Sequence, residues 1–101
     1  MLSERVYREK VNAVLSDVEK LFCAIDPDVA ECTLSQGTLR IEYAAGTCIL
    51  SQQPSIQELW VAVSAKAAGY HFYLDNDQWI EKRTHKEFSI FWQEMMKDII
   101  T

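Results

Sequence analysis

Past Asp28 the apolar residues of this chain stop recurring every three or four positions and begin to alternate singly, and near its end they return to the longer spacing. A helix places residues three or four apart on one face, whereas a strand places every second residue there. A chain with the order helical, alternating, helical is therefore held to helices flanking a run of strands. At 101 residues it has room for one domain, spanning 1–101, and not for two. The expected class is α+β, a two-layer sandwich with the N- and C-terminal helices on one face of a six-stranded antiparallel sheet.

In the first segment Tyr7, Val11, Val14, Val18, Leu21 and Ile25 make one apolar stripe. Ser3 is placed to cap the helix, and Glu4 with Arg8, and Arg5 with Glu9, are spaced to pair on its wet side. Pro27 is expected to end it, because the residue before a proline is pushed out of the α region. Ala30, Cys32 and Leu34 then alternate with polar neighbours. After a turn at Ser35, Gln36 and Gly37, so do Leu39, Ile41 and Tyr43. A second turn at Ala44, Ala45 and Gly46 leads into a third strand over 47–52, and Pro54 and Ser55 separate it from a fourth over 57–64. Gly69 is expected to open a fifth strand over 70–74, and Asp75, Asn76 and Asp77 to turn into a sixth at 79–80. Thr84 and Glu87 match a capping box, placing His85 in the first turn of a last helix with the stripe Phe88, Phe91, Trp92, Met95 and Ile99. Trp79 is expected to be structural, beside Tyr70 and Phe72.

Charge and cysteine content narrow the function. Ten basic against fifteen acidic residues give a net charge of −5, which disfavours a nucleic-acid backbone and favours cations or basic protein patches. The odd cysteine count, with no C-x-x-C pair, fits neither a disulfide framework nor a zinc ribbon. No stretch has the length of a membrane span, and early charges interrupt any signal-like run, so the expected compartment is the cytoplasm. Cys23 is expected to be partly buried in the helix, and Cys32 to point inward with Ala30 and Leu34. No phosphate loop, nucleophile elbow or zincin motif is present, so no enzyme activity is expected.

One stretch goes beyond a generic α+β pattern. It reads Ser51, Gln52, Gln53, Pro54, Ser55, Ile56, Gln57, Glu58, Leu59, Trp60, Val61, Ala62, then Gly69, Tyr70, His71, Phe72, then Trp79 and Ile80, and then a capped helix near Phe88. This order resembles the bacterial frataxin family, in which a proline turn leads to Gln-x-Trp-x-Ala, followed by Gly-Tyr-His-Phe and a second Trp after an acidic turn. The likeness runs over nearly the whole chain. Ser51 stands where the family has Asn, and Glu58 where it has Gln.

The resemblance implies an iron-binding regulator or iron donor in iron–sulfur cluster assembly, docking on a cysteine desulfurase and its scaffold protein. It implies a monomer, with iron-driven oligomers possible. The docking face would include Ser51, Gln53, Glu58 and Trp60, since alternation sets Trp60 opposite Leu59 and Val61. Iron would be held weakly by surface carboxylates along the end of the first helix and the edge of the first strand, at Glu19, Asp26, Asp28 and Glu31. That ridge is thin. Between Ser3 and Glu31 seven acids meet four bases, and Lys20, Cys23 and Ala24 occupy the last helical turn, where relatives often have acids. Two other roles stay open: an iron-independent adaptor that keeps the docking face, and a weak ferroxidase or iron store.

Overall fold

The computed structural model describes residues 2–101. Its elements run α1 (Glu4–Phe22), β1 (Ala30–Ser35), β2 (Thr38–Tyr43), β3 (Gly46–Gln53), β4 (Glu58–Val63), a 3-10 turn (Ser64–Lys66), β5 (Ala68–Asp75), β6 (Gln78–Glu81) and α2 (Phe88–Ile100). The six strands form one antiparallel sheet in the order β1-β2-β3-β4-β5-β6. Both helices cover the same face. On that face Leu39, Ile41, Cys48, Leu50, Leu59, Val61, Val63 and Phe72 are sealed from solvent beneath Tyr7, Val11 and Leu15 of α1 and Phe88, Phe91 and Met95 of α2.

α1 begins as its sequence implies. The Ser3 hydroxyl accepts the Val6 N–H at 3.1 Å, and the Glu4–Arg8 and Arg5–Glu9 pairs form on the exposed side. Its seam and its end differ from expectation. The buried line is Tyr7, Val11, Leu15, Val18 and Phe22, while Val14 and Ile25 are half-buried and Leu21 is 48% exposed. The helix stops at Phe22, well before Pro27. Cys23 caps it with its N–H on the Lys20 carbonyl, and Ile25 bonds Phe22, so the last bonds are tight turns and not α-type. Asp26 then shapes the exit: its carboxylate accepts the Asp28 N–H at 2.9 Å and its carbonyl accepts the Val29 N–H at 2.8 Å.

Two hairpins are closed by two-residue turns in which both residues have positive φ, at Gln36 and Gly37 (51° and 75°) and at Asn76 and Asp77 (50° and 63°). Such turns match the right-handed twist of the strands they join. Several strands exceed their expected lengths, and Ala68, not Gly69, opens β5.

The start of α2 is a second correction. The capping residue is Glu87, whose carboxylate accepts the Ser89 N–H at 2.7 Å. Thr84 is held elsewhere, because the buried Glu81 carboxylate takes the Thr84 N–H at 3.1 Å and its hydroxyl at 2.9 Å, along with the Arg83 N–H at 3.1 Å. His85 consequently lies in the preceding loop with φ 60°, outside the helix. Trp79 is buried as expected, but its aromatic neighbour is Tyr7, edge to face at 6.2 Å, whereas Tyr70 (tilted) and Phe72 (edge-on) pack against Phe91 of α2.

Candidate functional site

The face of the sheet away from the helices carries the residues expected to dock. Antiparallel register sets Ser51 of β3 and His71 of β5 on either side of Trp60 in β4, and Gln53 opposite Glu58. Side chains directly opposite share a face, so the four docking candidates Ser51, Gln53, Glu58 and Trp60 form one cluster. The Gln53 amide donates to the Ser51 hydroxyl at 3.3 Å.

Trp60 is fixed on two sides. Its ring lies flat on the His71 imidazole, with centroids 4.2 Å apart and planes 8° from parallel. Its indole N–H donates to one oxygen of Glu58 at 2.8 Å, and the other oxygen is taken by the Lys82 ammonium. Trp60 is therefore half-buried, a braced ring rather than a side chain standing free in water. Glu58 departs further from expectation. It points to the outer face, yet it is only 5% exposed, and its carboxylate is spent on Trp60 and Lys82. Burial works against its charge. The Lys82 and Trp60 hydrogen bonds, with the charges of Lys82 and His71, outweigh this and hold the carboxyl below the ordinary carboxylate range.

Tyr7 of α1 reaches the same corner from the other side of the sheet. Its hydroxyl donates to the Glu58 carbonyl at 2.7 Å and accepts the Gln53 N–H at 3.0 Å, clamping the pair that closes the β3–β4 turn. Burial pushes its pKa up, although the Gln53 hydrogen bond pulls the other way. His71, Lys82 and Tyr7 were not marked by sequence reasoning as parts of this site. Strand alternation does put His71 on the outer face, but its place beside Trp60 depends on the β4–β5 register. Lys82 lies just past β6, where no periodicity marks it.

The acidic edge is looser. Glu19 is half-buried in the last turn of α1, Asp26 and Asp28 sit in the following loop, and Glu31 faces outward on edge strand β1. Glu31 lies directly opposite Glu42 of β2, a carboxylate that the sequence pattern does not mark. Among the described residues no three His, Cys, Asp or Glu side chains are grouped so as to enclose a metal ion. Cys23 is exposed, not partly buried, and its thiol points to the Glu19 carbonyl at 3.8 Å. The reason is the early helix end, which leaves it as a cap. Cys32 is half-buried, with its thiol pushed up to about 11 by burial and by the charges of Glu19 and Cys23, and burial pushes Cys48 up to about 12. Neither is a thiolate at neutral pH. What the edge offers a hard cation is a set of open carboxylates, each able to supply one or two oxygens, with water completing the shell.

The chain as a whole is similar to known proteins. A family model described as the frataxin-like domain matches residues 1–101. The chain is 35% identical over 88 residues to the iron-sulfur cluster assembly protein CyaY of Paraburkholderia phymatum, covering 86% of this chain and 81% of that one. It is 35% identical over 101 residues to the protein of the same name from a Janthinobacterium species, covering 94% and 88%. The solved frataxin of Psychromonas ingrahamii matches with a TM-score of 0.81 over 94% of this chain and 89% of that one, at 17% identity, a likeness of fold. Among the described residues no helix is long and apolar enough to cross a membrane.

Proposed function

The chain belongs to the frataxin-like family, and on that premise we propose that it serves iron–sulfur cluster assembly as a non-enzymatic partner of the cysteine desulfurase–scaffold complex in the cytoplasm. The observation that carries this reading is the braced Trp60, a large aromatic held in one orientation on the outer sheet face beside Ser51, Gln53 and His71. A ring fixed before binding loses little entropy on docking, which is why buried tryptophans anchor many interfaces. Ser51 and Gln53 supply hydrogen-bonding groups beside it, and Glu58 supports it from beneath. Ferrous iron is the cargo in this reading, held weakly and exchangeably by Asp26, Asp28 and Glu31, with Glu19 nearby.

A second reading is supported by the absence of any three grouped ligating side chains among the described residues. In it the protein is an adaptor whose effect does not need iron. A ferroxidase or iron store would need carboxylates dense enough to hold iron pairs, and this edge does not supply them.

The test is desulfurase activity with the protein added, with and without Fe²⁺, alongside an NMR titration with Fe²⁺. The iron-handling reading expects an iron-dependent change in rate and broadening centred on Asp26, Asp28 and Glu31. An iron-independent change with those signals intact selects the adaptor. No effect on the desulfurase under either condition removes the proposal.

A further inference from the structure

The two edges of the sheet end differently. At β6 the chain closes its own edge: the Glu81 N–H donates to the Lys86 carbonyl at 2.9 Å, and Ile80 pairs with Glu87. β1 forms the other edge, and β2 is its neighbour in the sheet. Its register runs from Ala30 to Ser35 without a bulge, and it holds no proline or lysine, the usual devices that blunt an exposed strand. Thr33, Leu34 and Ser35 are exposed.

The turn at Gln36 and Gly37 makes Ser35 and Thr38 a hydrogen-bonded pair. Alternation then commits the backbone of Glu31 and Thr33 to β2, and points the N–H and C=O groups of Cys32 and Leu34 away from the sheet. Among the described residues nothing bonds to them. The Ala30 N–H, by contrast, is taken by the Asp26 carbonyl at 3.2 Å, so the open stretch starts beyond it. Unpaired donors and acceptors at strand spacing are what an added strand pairs with.

The side chains on the two faces define that strand. Cys32 and Leu34 lie opposite the buried Ile41 and Leu39, hence on the helix face, and Leu34 is 38% exposed there. On the outer face Glu31 lies opposite Glu42, and Asp26 and Asp28 precede it in the loop. The one base directly across from β1, Arg40, is already paired with Glu42 at 3.1 Å. We propose that β1 takes up an extended segment of a partner protein in which basic residues alternate with apolar ones. Its backbone pairs with Cys32 and Leu34, its basic side chains meet Glu31, and its apolar ones cover Leu34. A second copy of this chain fits poorly, because joining β1 to its twin gathers Glu31 and Glu42 of both copies on one face. The site is separate from Trp60 and needs no iron.

A capped hexapeptide, Lys-Val-Lys-Val-Lys-Val, matches the length of β1 and serves as the probe. It is titrated into the full chain without iron and followed by amide NMR. The Cys32 and Leu34 amide protons should move downfield and exchange more slowly. The same peptide N-methylated throughout keeps its charges and side chains but has no backbone donor, and should bind at least about tenfold more weakly. Glutamate in place of lysine should abolish binding. Leu34→Pro removes an outward N–H while sparing the bonds to β2, and should weaken the lysine peptide by about tenfold or more. Glu31→Lys, at an exposed position, should transfer the preference to the glutamate peptide, and it keeps the test decisive if Leu34→Pro does not fold. Equal affinity for the parent and N-methylated peptides would reduce the contact to charge attraction and overturn the proposal. So would an absence of binding at about 1 mM peptide, or shifts centred on Trp60. Cys32 and Leu34 signals that move with protein concentration alone would overturn it too, since a second copy would then be the occupant.

Discussion

Trp60 and Glu58 act as a pair, and each alters what the other can do. The indole N–H is already given to Glu58, so a partner docking as proposed would meet a ring surface and edge rather than a free donor. Trp60→Ala is expected to shift the melting temperature by less than about 5 °C, because the ring sits outside the core. The same substitution should weaken binding to the desulfurase–scaffold complex by about 2 kcal/mol or more, read by calorimetry. Collapse of the fold in that variant would instead make Trp60 structural. The second buried carboxylate, Glu81, has a different duty. Burial raises its pKa, but the Arg83 and Thr84 N–H groups, the Thr84 hydroxyl and the Arg83 charge lower it further, so that it lies below the ordinary range. A carboxylate with a depressed folded pKa contributes stability that is complete above its unfolded value, about 4.3, and that is lost as pH falls through the folded value. Glu81→Gln is therefore expected to lower the melting temperature at pH 7 by several degrees. The gap from wild type should close below about pH 4, a profile that differential scanning fluorimetry can record.

Tyr7 shows how one helix governs a turn at the end of the sheet. Tyr7→Phe keeps the ring and its contact with Trp79 but leaves the Glu58 carbonyl and the Gln53 N–H without their partner. The expected cost is about 1–3 kcal/mol in chemical denaturation, with faster hydrogen exchange at the Gln53 amide. The elements themselves were largely legible in the sequence. Each strand has one wet face, so Leu39, Ile41, Leu59 and Val61 could be assigned inward from alternation alone, and the α2 stripe was correct at every position. What was not legible lay where distant residues intervene. The apolar spacing of Leu21 and Ile25 continues past the point where α1 unwinds, so periodicity could not locate its end. Thr84 and Glu87 have capping-box spacing, but Glu81 from β6 engages Thr84 first. Glu58 alternates outward correctly, yet its burial depends on Lys82, twenty-four positions later, and no local pattern reveals that. Of the candidate site, the outward placement of Glu58 and Trp60 was readable from alternation, but not the bracing that holds them. The acids of the edge were readable as well, but not their separation in space.

Across the whole molecule the net charge of −5 sets how partners are approached. Attraction between an acidic surface and a basic patch acts mainly on association, while a buried anchor acts on dissociation. Raising salt from about 50 to about 300 mM is expected to slow association with the desulfurase complex several-fold, whereas Trp60→Ala should chiefly speed dissociation. Surface plasmon resonance separates the two, and a salt-independent association rate would contradict the electrostatic part.

The strand order also bears on how the chain reaches this state. Every strand pairs with its neighbour along the sequence, so the sheet can zip up hairpin by hairpin through short loops that cost little entropy to close. The helices break that locality, since they come from opposite ends of the chain and must cover one face together. A chain leaving the ribosome has α1 and all six strands available before α2 emerges, and the apolar strip that awaits Phe88, Phe91 and Met95 stays bare until then. Docking of α2 is thus expected to be the final event. Substitutions that loosen its contacts should accelerate unfolding while leaving the folding rate nearly unchanged.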